Sequence, residues 1–318
     1  LIDSVVAAAM GQVVPEMSVG DLKGGANHIH IAGPRDGGGT YIHYEWPAGG
    51  TGASAGVDGS NAVRSYNEGD FNSIQSAETV ESQYPLRIER CEIRNGGCGD
   101  GANRGGFGLR RDIKVLDETA MLSVLSEKNV IPPYGVAGGS NGAANRFVVV
   151  RKDKVIQPSD VPGKVSGFAL QTGDLVREET AGGGGFGDPL NRDPALVADD
   201  VRLEYLTAEQ AEARYGTVFG SDGRVDAAST SAKRVALAGA RVTATLEISN
   251  EDDIDGPCRR IAVPKALAGD LNILDGGLVE LRGKTVAPLR GWARIVDVTS
   301  SVISLGPTGM RLLGTDPG

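Results

Sequence analysis

Ala181–Pro194 reads AGGGGFGDPLNRDP, and this stretch decides how the chain is to be read. Four consecutive glycines and two Asp-Pro steps specify a backbone that ordinary side chains do not adopt. Glycine reaches positive φ at low steric cost and admits another backbone or a ligand at close range, while each proline fixes φ and keeps its predecessor out of the helical region. A flexible linker dilutes its glycine with serine; this run instead carries Phe186 as an anchor and ends on Asp193-Pro194, an N-cap followed by proline at the first helical position. Gly182, Gly183, Gly184, Gly185, Phe186, Gly187, Asp188 and Pro189 are therefore expected to form a shaped structural loop. A phosphate cradle is the competing reading, but no Gly-Lys-Ser/Thr follows and the run does not lead straight from strand into helix.

Upstream, Val5, Val6, Ala9 and Val13 recur at helical spacing before Pro15, which predicts an amphipathic helix over about residues 1–14. Between residues 25 and 115, short alternating segments such as Tyr41–Trp46 and Arg87–Ile93 predict half-buried strands. The apolar run Phe147–Val150 predicts a central strand. Downstream of the glycines, Leu196, Val197 and Val201 share one helical face, Thr207–Gln210 has capping-box spacing, and Asp226 heads an Ala-rich helix to about Ala238. The last seventy or so residues return to short apolar segments, including Arg260–Val263, Leu278–Leu281, Trp292–Val296 and Val302–Leu305. The expected fold is α+β: a β-rich core with Gly-rich loops and a few helices over residues 1–240, then a small β-rich domain over 241–318. Acidic Asn250–Gly256 reads as an exposed connector that lacks the ligand order of a calcium loop.

Four residues present a metal hypothesis. His28, His30 and His43, all the histidines, fall close together around the hairpin-like segment Gly33–Gly39. If Gly33 pairs with Thr40, His30 faces His43 and His28 faces Glu45, a donor set suited to zinc; a slip of one residue disperses it, and ordinary hydrogen-bonded histidines are the simpler account. Arg87, Arg104 and Arg110, in a basic stretch with Arg90 and Arg111, are candidate anion ligands, although Glu89, Glu92 and Asp112 offer them local partners. No residue is assigned a catalytic role, and nothing proposes a Ser/His/Asp triad.

Several of these segments together resemble the hydantoinase B/oxoprolinase family. The glycine run with Asp188-Pro189, Arg192-Asp193-Pro194 and Tyr215-Gly216-Thr217-Val218 are similar to its motifs, as are Tyr84–Arg90, Gly96–Gly99 with Asn103–Arg110, and Pro132–Gly135 with Gly138-Gly139, all in family order. The resemblance extends over roughly residues 1–238 and corresponds only to the carboxyl-terminal half of a usual member. The family's Asn-Asp-Pro-Tyr and His/Asp-rich metal-binding region has no counterpart here. The resemblance implies a subunit of a multi-subunit ATP-dependent ketone carboxylase of the acetone or acetophenone type. Its alternatives are a hydantoinase or oxoprolinase subunit opening cyclic amides, or a non-catalytic structural subunit. It implies a hetero-oligomer with an ATP-binding hydantoinase A-like subunit, with ATP and divalent metal held by partners and no cofactor on this chain.

Composition sets the outer bounds. At 318 residues the chain can bury a substantial core, and 47 glycines against 5% aromatics favour close backbone packing over large side chains. A net charge of −9 argues against a nucleic-acid partner. No apolar run is long enough to span a bilayer and no export signal is seen, so a cytoplasmic location is expected. Cys91, Cys98 and Cys258 contain no Cys-x-x-Cys pair and are expected to be reduced thiols.

Overall fold

The computed structural model describes residues 2–35, 37–63, 74–250, 253–256, 258–298 and 302–315. Helix α1 (Ile2–Val13) is followed by the antiparallel hairpin β1 (His28–Pro34) and β2 (Thr40–Glu45). Then come α2 (Ala77–Gln83), β3 (Leu86–Ile93), β4 (Leu109–Val115), β5 (Ala120–Leu125), β6 (Arg146–Arg151), β7 (Lys154–Ile156), β8 (Lys164–Leu170) and β9 (Leu175–Glu179). These strands make a four-stranded sheet ordered β2-β1-β5-β8 and a five-stranded sheet ordered β3-β4-β9-β6-β7. Alternation decides what each sheet buries: Ile29 and Ile31 of β1 and Leu122 and Val124 of β5 meet Ile113 and Val115 of β4 and Val176 of β9 in one hydrophobic cluster. Phe147, Val148 and Val149 are all buried in β6, which lies between β9 and β7 as the continuous apolar run requires.

The glycine run threads the centre of the molecule. None of Gly182–Gly185 lies in the left-handed region; only Gly187 does, at φ 74. Close approach, not positive φ, is therefore what excludes side chains. A Cβ at Gly183 would fall 1.8 Å from the Thr51 carbonyl oxygen, and one at Gly184 1.8 Å from that of Tyr134. The Gly183 and Phe186 N–H groups, three residues apart, both donate to the 103–106 segment, at Gly106 and Asn103 (2.9 Å each). Gly184 turns to the Asp21 carbonyl and Gly185 to that of Ser140. The run is thus hydrogen-bonded to three separate segments of the chain. In return the carbonyls of Gly183, Gly184 and Gly185 accept from Gly99, Ala53 and Val136.

Three helices seal one side. In α3 (Pro194–Arg202) Asp193 caps the Ala195 N–H at 2.9 Å, α4 (Ala208–Tyr215) begins with a complete Thr207/Gln210 capping box, and α5 (Ala227–Gly239) is capped by Asp226. Val197 is buried and Val201 packs beside it, but Leu196 is exposed, so the predicted apolar face is narrower than expected.

Residues beyond 240 form β10 (Thr245–Ile248), β11 (Ile254–Asp255), β12 (Cys258–Pro264), α6 (Lys265–Asp270), β13 (Leu278–Leu281), β14 (Leu289–Val296), β15 (Val302–Leu305) and α7 (Pro307–Leu312). The sheet order is β10-β15-β12-β14-β13, with β11 on β12 and a separate hydrophobic cluster centred on Ile261, Val263, Ala293 and Leu305. Contact with the remainder is polar: Arg290 donates to the Pro132 carbonyl and to Asn141, and Arg282 to the Gly138 carbonyl. The acidic connector is not wholly solvated. Asp253 is buried against Arg259, because its carboxylate turns inward onto that guanidinium; Asp255 is exposed, and Glu251 and Asp252 lie outside the described residues.

Candidate functional site

The histidine hypothesis fails on register. Pro34, not Gly33, pairs with Thr40, so Ile31 stands opposite His43 and Ile29 opposite Glu45. Two isoleucines that must face the core fix this pairing, and a one-residue change flips every side chain of the partner strand. His28 and His30 consequently share the outer face, where both rings stack on Tyr44, whereas His43 and Glu45 point inward. Burial first, and then the neighbouring His28, make His30 less basic than usual. Among the described residues no group of three or more His, Cys, Asp or Glu side chains is arranged to hold a metal ion.

The inward half of that set joins a different cluster. Arg111 of β4 and Glu178 of β9 continue the core-facing alternation of Ile113 and Val176, and with His43 and Glu45 they form a fully buried ionisable group. Arg111 Nε lies 3.0 Å from Glu45 Oε1, and His43 Nε2 lies 3.7 Å from Glu45 Oε2. The guanidinium also donates to the Gln75 carbonyl at 2.9 Å. One guanidinium thus faces two carboxylates. Burial, and then the charge of Glu45, push the Glu178 carboxyl well above its ordinary range, against the opposing pull of Arg111. The arrangement favours the protonated form of Glu178 more than an exposed site would. The sequence reading passed over Glu178, although counting alternate residues from Val176 finds it.

The three arginine candidates do not converge. Arg87 is half-exposed and paired with Glu89, Arg110 donates to Asp112 at 2.8 Å, and Arg104 is buried with Nε 3.0 Å from Asp200. Each already has a carboxylate counterion within this chain. In the glycine run, the N–H groups of residues 183–187 all donate to carbonyls of this chain and so are not free for a phosphate, the competing reading of this loop. Asp188 caps Leu190 at 2.9 Å, starting a short turn at Pro189, and Arg241 holds its carboxyl below the usual range. Arg192 forks onto Asp58 (2.7 and 2.8 Å) and Asp200 (2.9 Å), and the Tyr215 hydroxyl donates to Asp100 at 2.9 Å. These motif residues fasten the helices to the glycine bundle. Cys98 is buried, which pushes its thiol up to about 12 and leaves it inert at neutral pH.

A groove of about 620 Å³ opens between α1, residues 126–134, the 161–164 turn and Arg290, with apolar walls including Val5, Val130, Ile131 and Val161. Its floor carries the buried ion pair of Lys128 and Asp21. Burial lowers the basicity of Lys128, and the opposing charge of Asp21 only partly offsets that effect. The Tyr134 hydroxyl donates to the Ser4 carbonyl at 2.9 Å and its ring lies 5.5 Å from the Arg290 guanidinium. Sequence reasoning missed the groove, whose lining comes from five separated segments.

The chain belongs to the hydantoinase B/oxoprolinase family, which it matches over residues 1–189. It is 31% identical over 245 residues to the caprolactamase beta subunit of Pseudomonas jessenii, covering 73% of this chain and 40% of that one. It is 29% identical over 241 residues to the acetone carboxylase alpha subunit of Xanthobacter autotrophicus, covering 64% and 30%. The crystal structure of the ATP-dependent caprolactamase from Pseudomonas jessenii superposes with a TM-score of 0.58 at 27% identity, over 71% of this chain and 40% of its counterpart. The chain therefore spans less than half the length of these relatives. No described helix is long and apolar enough to cross a membrane.

Proposed function

We propose that this chain is the scaffold portion of a multi-subunit, ATP-dependent enzyme of the hydantoinase B type. In this reading it works in a hetero-oligomer beside a separate ATP-binding, hydantoinase A-like subunit, and ATP and divalent metal are held by partners. The observation that carries the proposal is the use made of the family motifs. The glycine run, Arg192 and Tyr215 are consumed in internal packing, and the candidate arginines and histidines are paired or divided between faces. A polypeptide built this way holds shape for a reaction completed with other chains. The reaction class is activation of a carbonyl with ATP. The longer match to a caprolactamase subunit supports cyclic-amide opening, and the match to an acetone carboxylase subunit supports ketone carboxylation.

Affinity purification of the tagged chain from its native host tests this reading. The expected result is a complex containing an ATP-binding subunit, whose ATP-dependent opening of a lactam or carboxylation of a ketone is lost when this chain is omitted. A chain that purifies as a monomer, or a complex equally active without it, contradicts the proposal.

A further inference from the structure

Arg94 carries a charge that its surroundings leave unmatched. It directly follows β3, and its side chain is partly withdrawn from water beside the start of β6. Nη1 donates to the carbonyls of Ala144 (2.7 Å) and Thr180 (3.0 Å), with that of Glu179 at 3.4 Å. Among the described residues Nε and Nη2 take no hydrogen bond, and no carboxylate forms an ion pair with this guanidinium. The charges it feels are those of Glu179, which is bonded to Arg146 at 2.7 Å, and of Arg146 itself. Two guanidiniums therefore share one carboxylate, a local excess of one positive charge. Burial makes Arg94 less basic than usual, Glu179 opposes that effect, and Arg146 adds to it. A cation withdrawn from water without a counterion is costly, and an anion on its open edge relieves the cost.

Arg94 lines a pocket of about 280 Å³ together with Asn129, Arg146, Phe147, Gln157 and Pro162. Gln157 adds an exposed amide, and Phe147 and Pro162 supply apolar wall. Asn129 and Pro162 also line the larger apolar groove, so the two spaces adjoin. We propose that this pocket binds a small monocarboxylate, with its two oxygens on the Nε and Nη2 edge of Arg94 and its apolar body running past Pro162 toward the groove. The planar fork of a guanidinium matches a carboxylate through two parallel hydrogen bonds. An excess of one positive charge suits a monoanion better than a phosphate dianion. Opening an amide and carboxylating a ketone both yield a carboxylate, so the pocket suits the product of either reaction proposed above. The binding itself stands or falls without that reading.

Calorimetric titration of the full chain with acetate, butanoate and hexanoate, and with phosphate and chloride as rival anions, tests the proposal. Saturable binding that tightens from acetate to hexanoate is expected. Arg146→Gln alters a half-exposed side chain and frees Glu179 to turn onto Arg94, so hexanoate is expected to bind at least about tenfold more weakly. Glu179→Gln has the opposite sign, because it leaves both guanidiniums without a carboxylate, and is expected to tighten hexanoate binding. A purely structural role for these side chains would not move affinity in opposite directions while the unfolding temperature stays near that of the parent. Absence of hexanoate binding, equally tight binding of phosphate or chloride, unchanged affinity in the Arg146→Gln variant, or weaker binding by Glu179→Gln overturns the proposal. None of these results bears on whether the chain assembles with an ATP-binding subunit, and a chain that purifies alone leaves the pocket as described.

Discussion

Gly183 shows at the scale of one residue why the chain is so rich in glycine. A methyl group there would meet the Thr51 carbonyl oxygen, part of a backbone that is itself hemmed in, so no flexible side chain can yield. Gly183→Ala is expected to cost more than about 3 kcal/mol, beyond ordinary overpacking, and to leave little soluble protein. Gly239→Ala, at the end of α5 with open space around it, is expected to be neutral or to stabilise by up to about 1 kcal/mol; urea denaturation of both variants makes the comparison. Glu178 sets a pH dependence of its own. Its folded carboxyl holds a proton to higher pH than the unfolded chain, which releases it above about pH 4.3, so over that interval the unfolded state binds fewer protons and stability declines as pH rises. The decline is at most about 1.4 kcal/mol per pH unit. Glu178→Gln removes it. The variant is expected to be more stable than the parent at about pH 8 and nearly equal at about pH 4; a pH-independent difference would refute the raised carboxyl.

At the scale of elements, what sequence could supply depended on whether the signal was local. Asp193, Thr207 with Gln210, and Asp226 cap the helices they head, because a cap is decided within four residues. The β1–β2 register was not legible, since it depends on Ile29 and Ile31 finding a core made by distant strands. For the same reason α1 was read as amphipathic without showing which way its apolar stripe would face. Arg192 joins elements that propensity cannot connect, fastening the start of α3 to Asp58 and Asp200. Arg192→Leu strands these two carboxylates with only Arg104 nearby, and is expected to lower stability by about 3–5 kcal/mol, read as a shift of denaturant midpoint.

For the molecule as a whole, the sequence made the β-rich architecture and the family legible, while the candidate sites were not, because they are assembled across sheets. His43, Glu45, Arg111 and Glu178 meet from three strands, and the groove draws on α1 and Arg290 from opposite ends of the chain. The C-terminal sheet has its own apolar cluster and touches the remainder through polar contacts, so we propose that residues 241–318 open independently of residues 1–240. The glycine bundle, in contrast, is bonded to segments from both ends of the first 190 residues. If it is the fixed scaffold described here, it cannot loosen without unfolding the sheets around it. Amide hydrogen exchange of residues 183–187 tests this most directly. The account predicts that these amides exchange only through the same global opening as those of β4 and β9; exchange orders of magnitude faster, at the rate of an open loop, would contradict it.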